Sequence, residues 1–225
     1  MKRSIIFFLI ITLSISVLHS QVKQDHSYCN RDFDVAKELF FENQYSVSYD
    51  YFQRVLQTPQ LEADVKAEAE YYIAANSYYL KRSDALDVLE TYLEKYPYTP
   101  MRSKVYYMVG RLYYDKKNYS ETLKKYGQVR QKQLDKSDVE DYLFSMGYSQ
   151  LMLKQYPAAS KTFKSIKEYG HPYTKDAEYY YAYSEFCQKN YKPSLESFIN
   201  IDESSKYYEA AQFHSLQIYD QIGYR

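Results

Sequence analysis

From Ser103 the chain places apolar residues at Val105, Tyr106, Val109, Leu112 and Tyr113. Those intervals put them on one face of an α-helix. The polar run Lys116-Lys117-Asn118 then interrupts the stripe. Asn118 suits the left-handed backbone that ends helices, and lysine suits their negative C-terminal end. A second amphipathic run follows through Tyr119, Leu123, Tyr126 and Val129, so the segment predicts a helical hairpin.

The hairpin recurs. Leu143, Met146, Gly147 and Gln150 precede Tyr156, Ala159, Phe163 and Ile166 in one copy, and Tyr179, Ala182 and Phe186 precede Tyr191, Leu195, Phe198 and Ile201 in the next. Towards the N-terminus, Ala36, Tyr45, Ser48, Phe52 and Val55 keep the same order. The copy in between is the least regular, with Ala75, Tyr78 and Tyr79 before Ala85, Leu89 and Tyr92, and it reads as short by a residue or two at the bend. Tyr45, Tyr119, Tyr156, Tyr191 and Tyr224 mark a ladder whose second rung is Arg82, with three steps of 37 residues and then 35 and 33. Nine residues before most rungs stands a small residue (Ala36, Gly110, Gly147, Ala182, Ser215), where two helices must cross closely. Seven residues after them stands an aromatic (Phe52, Tyr126, Phe163, Phe198). Self-similarity of this period predicts a repeat array.

Proline positions agree with that phase. Pro157 and Pro193 fall in first turns of second helices, where a missing N–H is harmless. Pro59, Pro97, Pro100 and Pro172 fall between copies. The expected units run about 30–65, 66–102, 103–137, 138–173 and 174–206, with a half unit at 207–225. That half unit, Tyr207 to Ile222, is either a capping helix or the front of a further hairpin. Ala211, Phe213, Leu216, Ile218, Tyr219 and Ile222 make it apolar for a cap, which favours a longer array.

The N-terminus is a separate object. Lys2 and Arg3 precede an apolar run from Ile5 to Leu18, followed by His19-Ser20-Gln21. This is the layout of a secretory signal peptide over 1–20, with a short linker at 21–29 and cleavage expected after Ser20. The run is short for a membrane span; an uncleaved anchor is the other reading. No membrane span is expected after cleavage, and the product is expected in the periplasm or associated with the outer membrane. Cys29 and Cys187 lie in repeats too far apart to touch, so both are expected as free thiols.

Composition narrows the function classes. The chain has 31 tyrosines and no tryptophan among 225 residues, and its net charge is zero. No basic face is evident, so no nucleic-acid partner is expected. His26, His171 and His214 stand far apart, without cysteine or carboxylate neighbours at zinc-ligand spacing. No phosphate loop or nucleophile elbow is present. Asp138, Glu140 and Asp141 open a helix, where carboxylates favour the positive end. The expectation is a protein without catalytic residues, cofactor or metal.

Tyr106-x-x-Val109-Gly110-x-x-Tyr113, Ala159-x-x-x-Phe163 and the closing Pro97 resemble the tetratricopeptide repeat. The resemblance covers the chain after the signal segment. It departs in a period of 33–37 residues and in lacking Trp at the first large position. It implies an all-α protein, an α-solenoid of tandem helix-turn-helix repeats wound as a right-handed superhelix. It also implies a concave groove lined by first helices, with Lys37, Phe40, Phe41, Asn76, Tyr79, Tyr107, Arg111, Tyr114, Phe144, Tyr148, Tyr179 and Tyr183 at the matching positions. Tyrosine-rich surfaces with a few cations suit protein recognition, although any one ring equally suits packing between neighbouring repeats. The resulting expectation is a scaffold in a bacterial cell-envelope complex that binds a protein or peptide partner. The alternative is a glycan-binding envelope protein using surface tyrosines.

Overall fold

The computed structural model describes residues 31–167 and 173–223, apart from the side chain of Lys167. The expected signal segment, the linker, Cys29, His26, His171, Pro172 and the rung Tyr224 lie outside the described residues. Among those described, every regular element is helical. The chain divides into two compact units, one ending at Thr99 and one beginning at Pro100. The first holds α1 (31–41), α2 (Tyr45–Leu56), α3 (Ala63–Tyr79) and α4 (Ala85–Lys95). The second holds α5 (Arg102–Asp115), α6 (Tyr119–Tyr126), α7 (Lys136–Met152), α8 (Tyr156–Lys167), α9 (Thr174–Cys187), α10 (Tyr191–Phe198) and α11 (Tyr208–Gln221). A 3-10 turn at Gln131–Gln133 links α6 to α7. Each odd helix up to α9 pairs with the even helix after it.

All five hairpins turn in the same way. The first residue past the C-cap of the first helix has positive φ: Asn43 (62°), Lys81 (54°), Lys117 (57°), Lys154 (58°) and Lys189 (63°). At Lys117 the N–H donates to the Tyr114 carbonyl at 2.8 Å, and the Asn118 N–H donates to the Tyr113 carbonyl at 2.9 Å. These two bonds form a Schellman motif, which satisfies carbonyls the ending helix leaves orphaned. The same pair recurs at Asn43/Gln44, Lys81/Arg82, Lys154/Gln155 and Lys189/Asn190. The left-handed conformation expected of Asn118 therefore belongs to Lys117. Asn118 instead caps α6, its side-chain oxygen accepting from the Glu121 N–H at 3.3 Å. A left-handed lysine costs roughly 1 kcal/mol relative to glycine, and the two recovered hydrogen bonds offset it.

The bend sets the packing register. Seven residues before each left-handed residue lie Ala36, Ala74, Gly110, Gly147 and Ala182, all buried. The large partners are Phe52, Leu89, Tyr126, Phe163 and Phe198, each no more than 1% exposed. Small and large positions are 16 residues apart in four hairpins and 15 in α3–α4. The irregular hairpin has therefore lost one residue between bend and second helix, and Ala74, not Ala75, occupies its crossing point. Fully burying each of the three phenylalanines contributes about 2–3 kcal/mol.

Glycine is required at one crossing more than at the other. A Cβ on Gly110 would overlap the Tyr126 ring, whereas one on Gly147 would meet Phe163 at 3.0–3.2 Å. Tyr126 lies this close because its hydroxyl reaches Ser145 on α7 at 2.8 Å. At two of the alanine crossings a second-helix serine ties the helices instead. Ser48 donates to the Ala36 carbonyl and Ser194 to the Ala182 carbonyl, both at 2.8 Å.

The rung tyrosines fill the seam between neighbouring first helices. Tyr45 packs on Phe40 of its own hairpin (5.5 Å) and stacks on Tyr79 of the next (4.6 Å). Tyr119 sits 6.1 Å from both Tyr114 and Tyr148 in the same relation. The last helix, α11, buries Ala211, Ser215 and Ile218 and leaves Phe213 and Leu216 exposed.

Candidate binding surface

In the first unit, Lys37 of α1 is bound to Glu68 of α3 at 2.8 Å. Its ammonium lies 5.4 Å from the Phe33 ring centre and 5.8 Å from that of Tyr72. The hydrogen bond to Glu68 raises its pKa despite partial burial. Phe40 is half-buried among Phe41, Tyr45, Tyr72 and Tyr79, while Phe41 is 69% exposed. Asn76, expected on the groove, is fully buried, with Nδ2 donating to the Ser48 hydroxyl at 3.0 Å and Oδ1 unpartnered. Counted from the bend, the position in register with Lys37 is Ala75, and Asn76 falls one residue further along, on the side of α3 that meets Ser48 of α2.

In the second unit, Arg111 of α5 donates through Nε to Asp141 Oδ2 on α7 at 2.9 Å and pairs with Asp115 at 3.3 Å. Its guanidinium lies 4.8 Å above the Tyr114 ring. Tyr107 is buried rather than groove-lining, and its hydroxyl also donates to Asp141 Oδ2 at 3.0 Å. Tyr173 donates to the other oxygen of Asp141 at 3.4 Å. Asp141 is thus more than the helix-dipole carboxylate its position suggests: it is the receptor that ties three repeats together. Around this hub stand half-buried rings. Phe144 stacks on Tyr173 at 4.7 Å, and Tyr148 meets Tyr114 at 6.0 Å and Tyr180 at 5.3 Å. Burial pushes the Tyr114 and Tyr180 phenols well above their usual range. Further along, Tyr179 stacks on Tyr207 at 4.4 Å, and Tyr183 lies 5.2 Å from His214. Burial pushes the Tyr207 phenol up to about 12.

The two ion pairs are one feature repeated. Lys37 and Arg111 each precede the left-handed residue of their hairpin by six, and Glu68 and Asp141 each precede the next by thirteen. Sequence patterning did not single out Tyr173, Tyr180 or the junction role of Asp141. The last had a visible signal: Glu68, Asp141 and Asp176 recur in step with the bends.

The charge distribution is less even than the zero total implies. Residues 31–99 carry 13 Asp and Glu against 7 Lys and Arg, whereas residues 102–136 carry 10 Lys and Arg against 3 Asp and Glu. At the start of α7, burial raises the Asp138 carboxyl to about 6, helped by Asp135 and Asp141. Cys187 is a free thiol on α9 whose pKa is raised by burial. Among the described residues no group of histidine, cysteine and carboxylates could hold a metal ion, and no helix is long and apolar enough to cross a membrane.

Repeated hairpins with Schellman bends, small crossing residues and stacked first helices define an α-solenoid of helix-turn-helix repeats. Solved structures share this fold. MamA AMB-1 superposes with a TM-score of 0.58 at 17% identity, over 83% of this chain and 96% of that one. A putative kinesin light chain from Podosopora anserina with nearly identical TPR-like repeats superposes with a TM-score of 0.51 at 12% identity, over 81% and 94%. A point variant of that protein gives the same score and identity over 84% and 96%. No family model matches the chain, and no curated protein does.

Proposed function

We propose that the chain is a non-catalytic scaffold of the bacterial cell envelope that binds a partner polypeptide along the first-helix faces of its repeats. The observation that carries this reading is the Arg111–Asp141 pair framed by Tyr114, Phe144, Tyr148, Tyr173 and Tyr180. These rings are half-buried, so they are held rigid yet keep surface for a ligand. Rigid aromatic surface loses little conformational entropy on binding and is favoured at interface hot spots. Because Arg111 is already neutralised by Asp141, the surface presents rings, hydroxyls and an internal ion pair rather than free charge. Such a surface fits a peptide with apolar side chains and backbone amides better than a polyanion. The basic, then apolar, then polar N-terminus supports export.

Pull-down from an envelope fraction, with wild type beside Arg111→Gln/Tyr148→Ser, tests the binding reading. Both altered side chains are half-buried rather than core, so circular dichroism should not change. Loss of a discrete protein band is expected. Retention of every partner, or loss of binding to a glycan matrix instead, would overturn the reading. N-terminal sequencing of the protein from the envelope should begin at Gln21.

A further inference from the structure

The first unit holds a cleft of about 330 Å³ on a different face of α3 from the one carrying Tyr72 and Tyr79. Leu56 of α2, Ile73 of α3, and Val88 and Tyr92 of α4 form its apolar wall. Its mouth carries three charged residues of unequal standing. Lys95 contacts both carboxylate oxygens of Glu70 at 2.6 Å, so each neutralises the other. Asp87 is exposed and, among the described residues, has no ion-pair partner. The surrounding unit is acidic, with 13 acids to 7 cations over residues 31–99.

We infer that this cleft is a second docking site, which accepts a short peptide segment carrying one bulky aliphatic side chain next to a lysine or arginine. The volume suits one such side chain with adjoining backbone, at the low end of ligand pockets. The apolar wall supplies the non-directional part of the affinity. Asp87 and the acidic surroundings select the sign of the flanking charge and speed encounter. An acidic segment would set like charges together at the mouth. This site is built from α2, α3 and α4 alone, so it does not depend on the aromatic surface proposed above.

The test is a titration of ¹⁵N-labelled protein with the peptide Ac-Gly-Lys-Leu-Leu-Lys-Gly-NH2 and its counterpart in which both lysines are glutamates. Saturable amide shifts are expected around Leu56, Ile73 and Val88, with the lysine peptide binding at least about tenfold more tightly. Asp87→Lys, an exposed change that leaves the core alone, should reverse the preference between the two peptides. Val88→Phe should narrow the mouth and weaken the lysine peptide at least about tenfold. Arg111→Gln/Tyr148→Ser should leave these shifts unchanged. Equal affinity for the two peptides, no shifts at millimolar concentration, or shifts confined to the first-helix aromatic surface would each overturn the inference.

Discussion

The two units solve the same packing problem with different residues at the same positions. In the first, the crossing points are Ala36 against Phe52 and Ala74 against Leu89; in the second, they include Gly110 against Tyr126 and Gly147 against Phe163. The junction between first helices is Lys37–Glu68 in one, and Arg111–Asp141 with two tyrosine hydroxyls in the other. The template therefore fixes a small residue facing a large one at each crossing, not the identity of either. A ring that reaches through to the next repeat, as Tyr126 does, demands that its partner give up its Cβ.

Gly110→Ala should have the largest effect. Displacing Tyr126 and its bond to Ser145 should cost about 3 kcal/mol, after allowing about 1 kcal/mol for alanine's better helix propensity. Adding Tyr126→Leu, which recreates the Ala74–Leu89 pairing, should restore at least half of the loss in urea denaturation. Gly147→Ala, whose Cβ would need the Phe163 ring to give by only a few tenths of an ångström, should stay within about 0.5 kcal/mol of wild type because propensity offsets the crowding.

The junctions should differ next. Asp141→Ala removes the acceptor shared by Arg111 and the Tyr107 and Tyr173 hydroxyls, and should cost about 2 kcal/mol. Glu68→Ala removes a pair that is about one-third exposed on each side, and should cost about 0.5 kcal/mol. Equal losses would mean that the tyrosine hydroxyls add nothing.

Asp138 sharpens the second junction through pH. Its folded-state carboxyl is raised to about 6 from 3.8, so the folded state holds the proton more tightly than the unfolded state. Its stabilising contribution is fully present below about pH 4 and disappears as pH rises through about 6. Asp138→Asn should therefore stabilise the chain at about pH 7.5 by about 1 kcal/mol, after discounting for solvent screening. It should also flatten this part of the profile in melts taken from acid to neutral pH. A profile unchanged by the substitution would refute the assignment.

The smallest expected effect is a gain. Lys117→Gly and Lys81→Gly relieve left-handed strain that both units share, and each should add about 0.5 kcal/mol. A difference between the two would show that the bends are less alike than their backbone bonds imply.

Much of the fold is legible in the sequence because a hairpin that cannot bury its face alone must repeat its pattern. The aromatic ladder, the small crossing residues and the helix-start prolines Pro157 and Pro193 all carry that signal. The bend is legible only in part. Asn118 and Lys117 are neighbours, and which one turns left-handed depends on helix length, which propensity does not resolve. Asn76 sits one residue past the register of Lys37 and Arg111 when counted from the bend, which carries it from an expected surface into the core. The candidate surface is half legible. Arg111 and Tyr148 are half-buried on first helices, but the hub role of Asp141 arises from contacts about 30 residues apart, for which the only trace in the sequence is the recurrence of an acid in step with the bends.

The shortened α3–α4 connection has a practical consequence. Leu89 reaches its buried place with one residue fewer than its counterparts use, so the link from Lys81 to Ala85 tolerates a change of length that the crossings do not. With Arg82 and Asp84 facing solvent across an exposed ion pair, and loop closure costing little per added residue, that stretch is the natural graft point for an epitope or fluorophore that reports on the molecule without disturbing it.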